Sequence, residues 1–345
     1  MKVLIVGTDL KRHNDLRTQG QFLRDILLHN RIDVAITSSY RNSILRIFDT
    51  VFQILRLHKN DIVIVQVYST KGIYLEVLSG WLAMLKKCYV INTLHGGNIP
   101  FVYRSNIVKR KLLNIIFTHS DVITVPSKYI PSHIEVLQNN YELIRNHIDL
   151  KQYKNLPKPK DCIRIFWMRS YHPTYDPLKA IHILEYIRNL NMDAKLVMAG
   201  KDFGHQYETI AYAQSSKYAK DISITDVIST DKKNKIASES NVYICTNTID
   251  NAPVSFLEMM AMGLPIVTTN VGGIPHYVEN NQTALISTDN SVENMAKLII
   301  SLHQQEELQQ KLITNGLSFI EEFSTETVLQ KWLTLFQQLQ YKQPN

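Results

Sequence analysis

Along the whole chain, short apolar runs alternate with segments whose apolar positions recur every three or four residues. The first pattern marks strands buried on both faces and the second marks helices packed on one side. In the first half it predicts strands at residues 2–7, 33–38, 61–66, 89–94, 121–125 and 142–145. Helices are expected near 15–29, 41–57, 72–87, 105–118 and 128–138. Residues 149–161 are polar, contain two prolines and lack periodicity, which reads as a linker. The alternation restarts with strands at 162–168, 194–199, 221–225, 242–245, 266–269 and 283–286, and is helical from Val292 onward. The last helix, 325–340, carries Leu329, Trp332, Leu333 and Phe336 as a stripe, with Ser324 a candidate N-cap. The expected fold is α/β, with two tandem Rossmann-like doubly wound domains, 1–150 and 161–320, and a final helix in 321–345.

The totals agree with this picture. A chain of 345 residues, 45% hydrophobic and 20% charged, describes two soluble globular domains. No run of about 18 apolar residues is present, so no membrane span is expected. The opening Met-Lys-Val-Leu-Ile-Val-Gly is too short an apolar stretch for a signal peptide and reads as the first strand. Cys88, Cys162 and Cys245 are scattered and odd in number, which suggests buried thiols in the cytosol and no metal-ligand spacing. The charge is uneven. Residues 1–150 hold 19 Lys and Arg against 11 Asp and Glu, while the remainder is nearly neutral. A basic half suggests an anionic partner, such as a lipid surface or a phosphorylated acceptor, or else a surface kept basic for solubility.

Residues 41–59 combine both signals. Ile44, Ile47, Phe48, Val51, Phe52 and Leu55 form an apolar stripe flanked by Arg41, Arg46, Arg56 and Lys59. The expectation is a helix packing this stripe on the sheet. The other reading is a helix lying in a membrane interface. A second basic cluster, Lys109, Arg110 and Lys111, precedes the mostly apolar 112–117.

The most informative stretch is 250–273. Pro253 suits the first turn of a helix, and Val254, Leu257, Met260 and Ala261 follow at helical spacing. Gly263 supplies a left-handed C-terminal cap, and Pro265 stops any continuation. Asp250 therefore lies on the loop before a short helix, and Glu258 about one and a half turns inside it. The N–H groups around Ala252 to Ser255 point out of the helix start, where an anion is favoured. Two carboxylates that can bind hydroxyls, beside an anion site, describe a pocket for a sugar joined to a phosphate.

This stretch resembles the signature of the retaining nucleotide-sugar glycosyltransferases of family 4, the glycosyl transferases group 1. Their motif is an acid, seven residues, Glu, then a small-residue helix ending in Gly-x-Pro and a downstream Gly-Gly. Here Asp250 stands where most members carry Glu, keeping the charge with less reach. The resemblance implies the GT-B fold, with substrates in a cleft between two domains and a final helix crossing back to the first. It assigns the donor diphosphate to Arg169, just after strand 162–168, where a fixed fork of donors suits a diphosphate. The second phosphate-binding lysine of the family, a few residues after this arginine, is missing here, since Lys179 is too far along, and His172 or Tyr175 is the candidate replacement. His95, with Gly96 and Gly97 at a strand's carboxyl end, is implied to contact the transferred sugar or steer the acceptor. Gly7 and Thr8 follow the first strand, where relatives approach a phosphate. Gly200 follows the second strand of the donor domain. Residues 145–149, Arg-Asn-His-Ile-Asp, resemble the landmark before the domain crossing.

The implied donor is a nucleoside diphosphate sugar. Arg169 and the backbone N–H groups before Glu258, those of Asn251, Ala252, Val254 and Ser255, would stabilise the departing diphosphate, with no metal and no separate cofactor. Glu258 would bind the ribose hydroxyls, and Asp250 with the backbone of Asn251, Ala252, Pro253 and Val254 the sugar hydroxyls. The implied acceptor is a glycan or lipid-linked glycan, at a cytoplasmic location that includes the inner face of a membrane. No nucleic-acid partner is expected, because it would leave 250–273 unexplained. No dinucleotide fingerprint or P-loop is present. Two other readings stay open: a nucleotide-sugar epimerase or hydrolase of the same fold, and a non-catalytic partner subunit.

Overall fold

The structure, a computed structural model, describes residues 1–7, 9, 18–68 and 72–341. The chain divides into two compact units, Met1–His147 together with Thr325–Asn345, and Ile148–Ser324. The expected α/β class holds: each unit contains one six-stranded, wholly parallel sheet between helices.

The first sheet comprises β1 (Val3–Val6), β2 (Val34–Thr37), β3 (Ile62–Val67), β4 (Tyr89–Leu94), β5 (Val122–Val125) and β6 (Glu142–Leu143), in the order β2-β1-β3-β4-β5-β6. Its helices are α1 (Gln19–His29), α2 (Ser43–Leu55), α3 (Ile73–Leu85), α4 (Ile99–Ser105), α5 (Ile107–Thr118) and α6 (Tyr129–His133). Alternate residues of β3 face opposite cores: Val63, Val65 and Val67 to one side, Ile62 and Ile64 to the other. The helix start expected near residue 15 is placed by Thr18, whose side chain and that of Gln21 make a reciprocal capping box. The helix expected over 128–138 breaks at Ile134, which turns extended and sinks into the core.

In the second unit, β7 (Ile163–Met168), β8 (Ala194–Ala199), β9 (Ile222–Thr225), β10 (Val242–Cys245), β11 (Ile266–Thr268) and β12 (Leu285–Ile286) run in the order β12-β11-β10-β7-β8-β9. They alternate with α7 (Pro177–Asn189), α8 (Gln206–Ser215), α9 (Thr230–Ser238) and α10 (Val254–Ala261), followed by α11 (Val292–Gln304) and α12 (Glu306–Phe319). The chain winds outward from β7 through β8 to β9, then returns to lay β10 on the other side of β7. The crevice beyond the carboxyl ends of β7 and β10 is therefore the topological switch point, where open parallel sheets bind ligands.

The last helix, α13 (Thr325–Tyr341), belongs to the first unit. Val328, Leu329, Trp332, Leu335, Phe336 and Leu339 bury against Leu23 and Leu27 of α1 and against Val3 and Ile5. Leu333 is only partly buried there.

Two expectations change. The linker 149–161 is not a bare spacer: Lys154 N–H donates to Asn234 Oδ1, and Asn155 packs against Gly263. The apolar stripe of α2 does not lie on the sheet. α2 sits over β1 and β2 at the sheet edge, beside α3, and buries only Thr50 and Ile54, with Thr50 Oγ1 2.6 Å from Thr37 Oγ1. That narrow strip of contact leaves Ile44, Phe48, Phe52 and Leu55 in solvent.

Trp332→Ala should destabilise the protein by about 3–5 kcal/mol in chemical denaturation, because it empties the centre of the α13 contact. An unchanged unfolding midpoint would mean that α13 is not part of this core.

Candidate functional site

Arg169 follows β7 directly and reaches across the switch point to the loop after β10. Its Nη2 donates to Asp250 Oδ2 at 2.6 Å and its Nη1 to Ser255 Oγ at 3.1 Å. The guanidinium carbon lies 4.3 Å from the centre of the Tyr175 ring. Arg169 and Asp250 side chains are each only 15% exposed, so their charges meet largely out of water. Burial works against the Arg169 charge, but the Asp250 carboxylate together with Cys245, Tyr175 and Tyr243 outweighs it, so the guanidinium pKa is raised. Nε of Arg169 is buried with no partner among the described residues.

Asp250 is held from every side. Its Oδ2 also accepts from Asn247 Nδ2 at 2.6 Å, and its Oδ1 accepts from the Asn251 N–H at 2.8 Å. Its own carbonyl accepts from the Gly273 N–H at 2.7 Å. This explains the downstream glycine pair. A Cβ on Gly272 would stand 2.2 Å from the Asp250 carbonyl oxygen, and one on Gly273 2.2 Å from that of Asn251. Gly200 acts similarly on the other flank, since a Cβ there would meet the Arg169 carbonyl oxygen. Gly200 therefore shapes the backbone under Arg169.

The helix of the motif is α10. Pro253 stands one place earlier than the sequence pattern implied, as the N-cap residue with extended backbone, and Val254 is the first helical residue. The first-turn N–H groups of Val254 and Ser255 have no intrahelical acceptors. Asn251, Ala252 and Ser255 are buried. At the other end Leu264 N–H bonds Met259 C=O and Gly263 N–H bonds Met260 C=O, with Gly263 at φ +66°, a Schellman cap as expected.

Glu258 points to different partners. Its Oε1 accepts from Tyr153 Oη at 2.8 Å and from Lys233 Nζ at 2.6 Å, while Oε2 makes no bond among the described residues. Burial and the neighbouring Glu258 charge raise the Tyr153 pKa, keeping it a neutral donor. Neither Tyr153 nor Lys233 was found from the sequence. One lies in a stretch that reads as linker, the other on a polar helix with no motif, and only the fold brings them to Glu258.

The expected replacements for the missing lysine serve other ends. His172 is exposed, and its Nδ1 accepts from the Thr174 N–H to cap a short turn. Tyr175 stacks under Arg169. Lys233 is the cation that the structure adds to the α10 region.

The first-unit candidates lie at the carboxyl ends of β1, β3 and β4. Gly7 N–H donates to Thr37 C=O at 2.7 Å. Thr8 lies outside the described residues. Gly96 and Gly97 follow His95 in the loop before α4. His95 stacks on Tyr68 with ring centres 5.5 Å apart, and burial lowers its pKa to about 4. Nearby Glu76 accepts from the Tyr68 N–H at 3.1 Å, and burial raises its pKa to about 8.

Those two shifts have opposite signs for stability. The folded His95 pKa lies below its ordinary 6.5, so its contribution is complete above that pH and is lost as pH falls towards 4. The folded Glu76 pKa lies above its ordinary 4.5, so its contribution is complete below that pH and is lost as pH rises through about 8. Denaturation across pH should therefore show Glu76→Gln gaining stability over the native chain at alkaline pH and little at acid pH. An equal effect at both ends would refute the buried, protonated Glu76. Gly272→Ala is expected to cost at least about 1–3 kcal/mol, from its φ of +54° and the contact with Asp250.

Residues 150–319 match the family described as glycosyl transferases group 1. The chain is 31% identical over 196 residues to the putative glycosyltransferase YtcC of Bacillus subtilis, covering 54% of this chain and 48% of that protein. It is 24% identical over 267 residues to the N-acetyl-alpha-D-glucosaminyl L-malate synthase of Bacillus anthracis, covering 72% of this chain and 67% of that protein. The match thus spans about half the length of the first of these relatives. Among solved structures, Anabaena HepE in complex with UDP and glucose aligns over 98% of this chain and 99% of its own, with TM-score 0.76 at 14% identity. That likeness shows the fold, the tandem Rossmann-like GT-B architecture. The segment that carries Arg169, Asp250, Glu258 and the glycine pair is thus the part of the chain that matches the glycosyl transferases group 1 family.

Proposed function

We propose that the protein is a retaining glycosyltransferase that moves a sugar from a nucleoside diphosphate sugar to a glycan or lipid-linked glycan acceptor. The observation that carries this reading is the Arg169 guanidinium, held at the switch point beside the open first turn of α10. A departing diphosphate gains charge there, and a preformed cation with free N–H groups stabilises that charge without reorganising. HepE was crystallised with UDP and glucose, which makes uridine diphosphate sugars the first donors to try.

The carboxylates divide the remaining work. A carboxylate offers roughly four lone-pair positions. Asp250 uses two on Oδ2 and one on Oδ1, so it positions Arg169 and retains one acceptor for a sugar hydroxyl. Glu258 has its Oε2 open for ribose hydroxyls, with Tyr153 and Lys233 fixing the other oxygen. In the reaction the bond from the sugar's anomeric carbon to phosphate oxygen breaks. The acceptor hydroxyl bonds to that carbon from the same face, and its proton passes to the departing phosphate oxygen. No protein base is required for that transfer.

With a matched donor and acceptor, Arg169→Ala should lower kcat by about 10²–10³-fold. Glu258→Ala should chiefly weaken donor binding. Full transfer rates in both variants would refute the assignment.

A further inference from the structure

A small polar cavity lies within the first unit, between α3, α5 and β4, and is lined by Glu76, Trp81, Asn92 and His119. Its volume is about 20 Å³, room for one hydroxyl or one water. Glu76, Val77, Gly80 and Trp81 share one face of α3 at helical spacing and form one wall. Gly80 opens the space. A glycine inside a helix is destabilising relative to alanine. No crowding demands it here, because a Cβ would make an ordinary contact, 3.8 Å from Val90 Cγ1.

Two of the lining side chains carry a buried polar atom with no partner among the described residues. Glu76 is 6% exposed, and its Oε1 accepts from the Tyr68 N–H, which leaves Oε2. Asn92 is 2% exposed, and its Nδ2 donates to Ser120 Oγ at 2.7 Å, which leaves Oδ1. Ser120 fixes that orientation: its one proton goes to Ile116 C=O, so it can only accept from Asn92. Buried polar atoms left unmade are costly. A single hydroxyl satisfies both, accepting from a carboxylic acid and donating to an amide oxygen. Burial favours the acid form, raising the Glu76 pKa to about 8 against a smaller opposite pull from the Tyr68 N–H. The other titratable groups nearby are Tyr68, His95 stacked on it, and His119 at the rim, whose Nδ1 lies 2.9 Å from Ile115 C=O. Val77, Ile115 and Ile116 make the rest of the lining apolar, and the Trp81 indole, 53% exposed, stands at the rim. A flat aromatic face beside a slot for one hydroxyl suits the mixed apolar and hydroxyl faces of a sugar ring. A cation would need the ionised acid, and an apolar ligand would leave both polar atoms unmade.

We propose that this cavity and the Trp81 indole form a saccharide-binding site, in which one sugar hydroxyl accepts from the Glu76 carboxylic acid and donates to Asn92 Oδ1 while the ring lies on Trp81. The site uses no residue of the second unit and needs no nucleotide. It goes beyond the transfer reaction and stands or falls apart from it.

The test is titration of the full chain with glucose and with N-acetylglucosamine, read by Trp81 emission, since Trp167 and Trp332 are buried. A saturable change is expected with at least one of the sugars, equally in Arg169→Ala, and Trp81→Phe should abolish it. Gly80→Ala places a methyl group in the cavity without a clash. It should keep the unfolding midpoint at or above that of the native chain and weaken binding at least about tenfold. Binding by the native chain should fall as pH rises through about 8, where Glu76 ionises. Glu76→Gln keeps a donor in its amide and should bind without that fall. No saturable change with either sugar would mean that the cavity takes water only, and would overturn the proposal. So would undiminished binding by Gly80→Ala, a signal that survives Trp81→Phe, or loss of binding in Arg169→Ala. Binding that strengthens as pH rises, or the same pH dependence in Glu76→Gln, would overturn it as well.

Discussion

The second unit is organised around the ion pair between Arg169 and Asp250. Two charges withdrawn from water are costly unless geometry and further hydrogen bonds compensate them. Here Asn247, the Asn251 N–H, Ser255 and the Tyr175 ring supply that compensation. The pair also joins the ends of two strands, β7 and β10, that are neighbours in the sheet and distant in sequence. Its position demands bare backbone on both flanks, which explains Gly200 on one side and Gly272 and Gly273 on the other. A substitution at any of these glycines thus acts on the guanidinium without touching it.

Much of the fold was legible because parallel strands buried on both faces are short, apolar and separated by helices of similar length. The pattern located twelve strands, and the structure contains twelve among its described residues. Its errors came where a tertiary contact decides. Leu285–Ile286 is a shorter strand than 283–286, and Ile134 leaves its helix for the core. The α2 stripe was misread because periodicity reveals an apolar face but not what covers it. Thr50 and Ile54, an unremarkable pair in sequence, are the residues that meet the sheet.

The site shows the same division. Asp250, Glu258 and the glycine pair form one local string, so their order carried the resemblance. Arg169 was found from its place after a strand. Tyr153 and Lys233 had no such signal, being 105 and 25 residues from Glu258 along the chain. Gly7 shows the converse, since its position after the first strand suggested a phosphate contact, while its own N–H bonds Thr37 C=O. Lys233 matters most among these additions. It restores a second cation to the α10 region, in a chain whose sequence lacks one in the expected place.

The central claim is that Arg169, as Asp250 holds it, is the seat of a nucleoside diphosphate. Calorimetric titration of the full chain with uridine and guanosine diphosphates, for the native chain and for Arg169→Ala, addresses it directly. The account predicts saturable binding of at least one diphosphate by the native chain and a loss of about a hundredfold or more in the variant. Equal affinity in the two proteins, or no diphosphate binding by the native chain, would contradict it.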